Sequence, residues 1–71
     1  MPKLPVLSGQ ALIRLLEQAG FEKVRQRGSH VIMRRAGLGC VVPLHKEVKA
    51  GTLVGILRQA GLTADDLINK Q

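Results

Sequence analysis

His30 is the side chain of this sequence best suited to moving a proton. It lies in the stretch Arg27-Gly28-Ser29-His30-Val31-Ile32-Met33-Arg34-Arg35. An imidazole titrates near neutral pH, so it takes or gives a proton without costly tuning. Gly28 allows a sharp bend or a close backbone approach to a ligand. The arginines on either side could hold a phosphate within reach of the ring. That is the equipment for attack by an RNA 2′-hydroxyl on its own phosphorus, a reaction that needs positioning and charge stabilisation more than a cofactor. DNA lacks the 2′-hydroxyl and would be spared. The plainer alternative is a histidine at a strand start that only packs or faces solvent.

The other reactive side chains are weaker candidates. His45 follows Pro43 in a connecting segment and could be a second acid–base partner or a loop residue. Two histidines without a third ligand make a poor metal site, since zinc usually takes three or four protein ligands. Ser29 lacks an acid placed to complete a nucleophilic triad and reads as a turn or hydrogen-bonding residue. Cys40 reads as a small buried hydrophobe. Gly51-Thr52 lacks the lysine and spacing of a phosphate-binding loop. Neither a metal nor another cofactor is expected.

Eleven Lys and Arg against five Asp and Glu leave a net charge of +6 on 71 residues. Such an excess calls for an anionic partner: nucleic acid, an acidic protein or an anionic membrane surface. Lys23, Arg25, Arg27, Arg34 and Arg35 gather around the Gly28-Ser29 turn and form, with those two residues, the candidate RNA-binding set. Period-two alternation predicts that Lys23, Arg25 and Arg27 project to one face. With Phe21 the only aromatic residue, base stacking must be weak, which favours recognition through backbone and shape. No apolar run approaches the roughly 20 residues of a membrane span. The start of the sequence lacks the apolar core of a secretory signal, and one cysteine cannot form an internal disulfide. A cytoplasmic setting is expected.

The remaining residues must build a scaffold for this site. Seventy-one residues suffice for one domain, 1–71, with a thin core. Residues 1–7 carry two prolines and read as an extended lead-in. Ser8 is a plausible N-cap for a helix with Leu12, Leu15, Leu16 and Ala19 at helical spacing and Gly20 closing it. Phe21 to Gln26 reads as a first strand, Arg27-Gly28-Ser29 as a turn, and His30 to Arg34 as a second strand. Ala36-Gly37-Leu38-Gly39 is a hairpin connection into a third strand, Cys40-Val41-Val42, stopped by Pro43. A polar connection leads to a helix opened by Thr52, with Leu53, Ile56, Leu57 and Ala60 on one face, and ended by Gly61. Thr63-Ala64-Asp65-Asp66 reads as a cap for a last helical turn through Leu67 and Ile68. The order predicts an α+β domain of two layers, α-β-β-β-α, with two helices on one face of a three-stranded antiparallel sheet. Val31 and Met33 are assigned to the core, His30, Ile32 and Arg34 to the open face.

At this point the chain resembles a known family. The Ala-Gly-Phe ending of the Leu12–Phe21 segment, Gly28-Ser29-His30, Val42-Pro43-Leu44-His45, and Gly51-Thr52-Leu53 through Ala60-Gly61 resemble the HicA toxins of bacterial type II toxin–antitoxin systems. The likeness runs from about Leu7 to Ile68. It implies a double-stranded-RNA-binding-like fold and a metal-independent mRNA interferase that arrests translation. The family's active residue corresponds to His30, and the implied partner is a HicB-type antitoxin that masks this histidine. Val31 departs from the polar or aromatic residue that many members carry there. Two other functions stay compatible with the residues: an RNA-binding module without turnover, and a protein whose basic face docks an acidic partner.

Overall fold

The computed structural model describes residues 6–69, so most of the proline-bearing lead-in, 1–5, lies outside the described residues. The elements follow the order α1 (Gly9–Gln18), β1 (Glu22–Arg27), β2 (His30–Arg35), β3 (Leu38–Pro43), α2 (Ala50–Gln59) and α3 (Ala64–Asn69). The strands form one antiparallel sheet in the order β1-β2-β3. Helix α1 packs on β1 and β3, and α2 on β3. The α+β arrangement with an open sheet face is thus the observed one.

Local chemistry explains the helix ends. The Ser8 hydroxyl oxygen accepts from the Ala11 N–H at 3.1 Å, satisfying one of the free donors of the first turn of α1. At its other end Gly20 N–H donates to Glu17 O and Phe21 N–H to Leu16 O, with Gly20 at φ +99°. Helix α2 ends the same way: Gly61 N–H donates to Arg58 O and Leu62 N–H to Leu57 O, with Gly61 at φ +69°. Both are Schellman closures, which need a left-handed residue that glycine supplies without strain. Thr63 and Asp66 exchange side-chain bonds with each other's backbone N–H at 3.2 and 2.9 Å, the reciprocal cap expected for α3.

Several boundaries shift: β1 starts at Glu22 rather than Phe21, β2 runs on to Arg35, and β3 takes in Pro43 instead of stopping before it. Helix α2 begins at Ala50 rather than Thr52, with Lys49 as an N-cap that makes no side-chain capping bond. Leu38 and Gly39 belong to β3, because Ala36-Gly37 alone turns the chain; Ala36 takes φ +53° there. Arg27 is the last residue of β1 rather than part of the turn.

One core lies between the sheet and the helices. Val31, Met33, Cys40 and Val42 from the sheet join Leu12, Leu16, Leu53, Ile56 and Leu57 from the helices, all under 5% exposed. Phe21, just before β1, is 2% exposed and anchors the strand to the end of α1. Leu7 pairs with Val48 in an isolated antiparallel bridge, joining the entry of α1 to the segment before α2.

The tightest fit is at Gly9, the first residue of α1. A Cβ there would collide with the Pro43 carbonyl oxygen and sit 2.9 Å from Leu44 Cα. Both neighbours are backbone, so neither can swing away. The Gly9 N–H donates to His45 O at 2.9 Å across the same gap. Gly9→Ala should lower stability by about 2 kcal/mol or more, the range of overpacked cores, read as a reduced urea midpoint; an unchanged midpoint would mean that helix and strand end separate freely.

Candidate active site and its cationic surroundings

Cross-strand register places each predicted site residue. Directly opposed residues in an antiparallel sheet share a face. On the open face, three rows run across the strands: Arg27 and His30, ending on Pro43, which is itself buried; then Arg25, Ile32 and Val41; then Glu22, Arg34 and Gly39. His30 is exposed at the first residue of β2, and Arg27, also exposed, is its partner across the two-residue turn Gly28-Ser29. Opposed Cβ atoms lie about 5 Å apart and diagonal ones roughly 7–8 Å, within reach of a guanidinium. Arg27 and Arg25 are therefore the cations gathered around the imidazole. Arg34 shares the face, but four residues along an extended strand put it about 13 Å away.

Two predicted residues leave this group. Lys23 pairs with Met33, and Arg25 with Ile32, with a register shift between them. Val24 is the extra residue of this β-bulge and is 52% exposed. A bulge adds one residue and so reverses the alternation beyond it. Lys23 consequently shares the helix-covered side with Met33 and Gln26, not the face of Arg25 and Arg27. The expectation that all three project together is corrected on this point. Arg35 alternates away from Arg34 and lies by the end of α1, where its Nε would be 3.3 Å from a Cβ on Gly20.

The turn that presents His30 is braced from below. Gly28 has φ +58°, and a Cβ there would meet nothing within 4 Å. Glycine takes this left-handed backbone without strain, and the turn's outer surface is left bare for a close approach. The Gln26 amide Nε2 donates to Gly28 O at 3.1 Å, and Leu44 N–H donates to Ser29 O at 2.7 Å. The second bond continues the β2–β3 ladder: His30 and Pro43 form a pair without mutual hydrogen bonds, so the next rung falls on Ser29 and Leu44, and the N–H that Pro43 lacks costs no bond to β2. Sequence reasoning does not reach these braces. The Gln-x-Gly spacing at 26–28 is the available signal for one; the Leu44 contact has none.

The remaining candidates have settled places. His45 is exposed and follows the braced segment, its carbonyl holding Gly9, beside a shallow pocket lined by Ser8, Gln10, Leu44 and Lys46. Among the described residues, no three His, Cys, Asp or Glu side chains group as metal ligands. Among those residues, too, no helix is long and apolar enough to cross a membrane.

An exposed histidine at a glycine turn, faced by arginine on an open α-β-β-β-α sheet, is the arrangement against which family membership can be judged. The model of the HicA toxin of bacterial toxin–antitoxin systems matches residues 9–62. The chain belongs to the HicA toxin family. The matched span opens at Gly9, where α1 meets the end of β3, and closes just past the Gly61 cap of α2. It therefore contains the whole sheet, both long helices and His30. Comparison with curated proteins gives no match. This HicA-family chain is thus a toxin of a toxin–antitoxin system.

Cys40 has no part in this arrangement. It is 3% exposed in β3, and burial pushes its thiol up from the ordinary range by disfavouring the thiolate. Iodoacetamide should alkylate it at least about tenfold more slowly in the folded protein than in urea, followed by mass spectrometry; equal rates would place the thiol at the surface.

Proposed function

We propose that this toxin is a metal-independent endoribonuclease that cuts mRNA and thereby arrests translation, with His30 as its catalytic general acid/base. The observation that carries the reading is the exposed His30 imidazole at a bare glycine turn with Arg27 directly across the strand pair. In the proposed reaction His30 takes the proton of a ribose 2′-hydroxyl. The 2′-oxygen forms a bond to the adjacent phosphorus, and the bond from phosphorus to the 5′-oxygen breaks. The products are a 2′,3′-cyclic phosphate and a 5′-hydroxyl, the leaving oxygen collecting its proton from the water around this open site. Arg27 and Arg25 offset the charge that grows on the phosphoryl oxygens. Gly28 and Ser29 let the backbone of the substrate come close, and Arg34 engages a phosphate further along the strand.

The same face suits the antitoxin expected of such a pair. Half-exposed Val41 and partly buried Ile32 form an apolar centre, with Arg25, Arg27 and Arg34 around it. An apolar centre within a charged rim is the anatomy of a protein interface. A HicB-type partner carrying acidic residues would cover His30 and compete with RNA for the arginines. The toxin would then act in the cytoplasm, where its transcripts are.

His30→Ala should keep the fold, because the ring is exposed, and should lower RNA cleavage at least about 100-fold, the lower end of what acid–base catalysis contributes. Transcript mapping after regulated expression checks it; undiminished cleavage and growth arrest would exclude His30 as the acid/base. Arg25→Glu with Arg27→Glu should weaken RNA binding and flatten its dependence on log salt by about 0.7 for each phosphate that is no longer neutralised. Affinity and slope that stay at the parent values would move the phosphate-binding residues elsewhere.

A further inference from the structure

The bulge at Val24 leaves a cation in a place the open-face reading does not use. Lys23 lines an open groove of about 440 Å³ between α1 and β1, together with Gln10, Arg14 and Gln26. These four side chains are exposed. Glu17 lines it too, so the groove carries two cations against one acid, a net of +1. Val31 and Leu44 also line it and belong to the segments that bracket the site: Val31 follows His30, and Leu44 N–H holds Ser29 O. Gln26 ties the groove to the turn by its bond to Gly28 O. The groove therefore leads to the underside of the Gly28-Ser29 turn, while Arg25 and Arg27 occupy the face above it.

We propose that this groove is a second binding site for an RNA backbone, and that the substrate is a single strand which runs along it and over the turn to the open face. Resting on the ribonuclease reading, this path places the scissile phosphate at His30 under Arg25 and Arg27, with phosphates on the groove side held by Arg14 and Lys23 and one further along the open face by Arg34. The amides of Gln10 and Gln26 match a ribose 2′-hydroxyl, which both donates and accepts. The geometry selects a single strand. Lys23 and Arg25 are two residues apart but on opposite faces of β1, so a molecule touching both must wrap a strand edge. A DNA duplex is stiff over about 150 base pairs and an A-form RNA duplex bends no more readily, so neither folds around so thin a ribbon, whereas a single strand turns at every nucleotide. Bending over the turn also unstacks the linkage at His30 and frees its 2′-oxygen to reach the phosphorus.

The test measures binding by fluorescence anisotropy to full-length His30→Ala, which holds substrate without turnover. The probes are a short fluorescein-labelled RNA and the same strand annealed to its complement. Adding Arg14→Ala and Lys23→Ala, both at exposed positions, should weaken single-strand binding roughly tenfold and lower the salt slope by about 1.4, the value for two phosphates left without a cation. The duplex should bind more weakly than the single strand. Circular dichroism and melting confirm that the variant is folded; should it unfold, Arg14→Gln with Lys23→Gln repeats the measurement. Parent affinity and slope in the groove variant, or a duplex bound as tightly as the single strand, overturns the proposal. Cleavage of the same oligonucleotide by the His30 parent is scored separately. Its absence alongside groove-dependent binding would sink the ribonuclease reading and leave the groove standing.

Discussion

The contact between the first residue of α1 and the last residues of β3 governs the rest of the structure. Gly9 admits the Pro43 carbonyl where any side chain would exclude it, and its N–H is held by the His45 carbonyl. One residue earlier along that strand end, Leu44 donates to Ser29. A chain of backbone contacts thus runs from the helix to the turn before His30. None of these groups is a flexible side chain, so the imidazole starts from a defined base although it projects into water. A turn held this way is pre-organised, which is what the catalytic role proposed for His30 requires.

The bulge at Val24 does something different for charge. Without it, β1 would present Lys23, Arg25 and Arg27 as one cationic row. With it, the row is divided, two arginines beside His30 and the lysine in the groove beside α1. The edge strand becomes charged on both sides, which discourages pairing with the edge of another sheet. The same division converts one flat basic face into a path around the hairpin. Conformation at one unpaired residue therefore sets which face of the sheet carries each cation of β1.

Much of the fold is legible because its signals are local. Ser8, Gly20, Gly61 and the Thr63–Asp66 pair act within four residues of themselves, and each performs the expected backbone job. The alternation of Val31 and Met33 with His30 and Arg34 gives the faces of β2 correctly, since no bulge interrupts that strand. The start of α2 is harder to see, because Lys49 lacks the side-chain bond that marks most helix starts. Alternation misplaces Lys23 for a physical reason. A bulge depends on the partner strand's register and on twist, neither of which is written in a run of six residues.

The amino-acid sequence by itself determined the order of the elements, the apolar stripes that make the core, the excess of positive charge and the one histidine at a glycine turn. Periodicity, capping and residue chemistry are short-range properties, and a linear string records them. Tertiary structure alone decided which cations surround that histidine, that Leu44 braces its turn, and that Gly9 must stay bare. Each of those depends on segments more than a few residues apart coming within van der Waals distance, and only packing of the whole domain sets such distances.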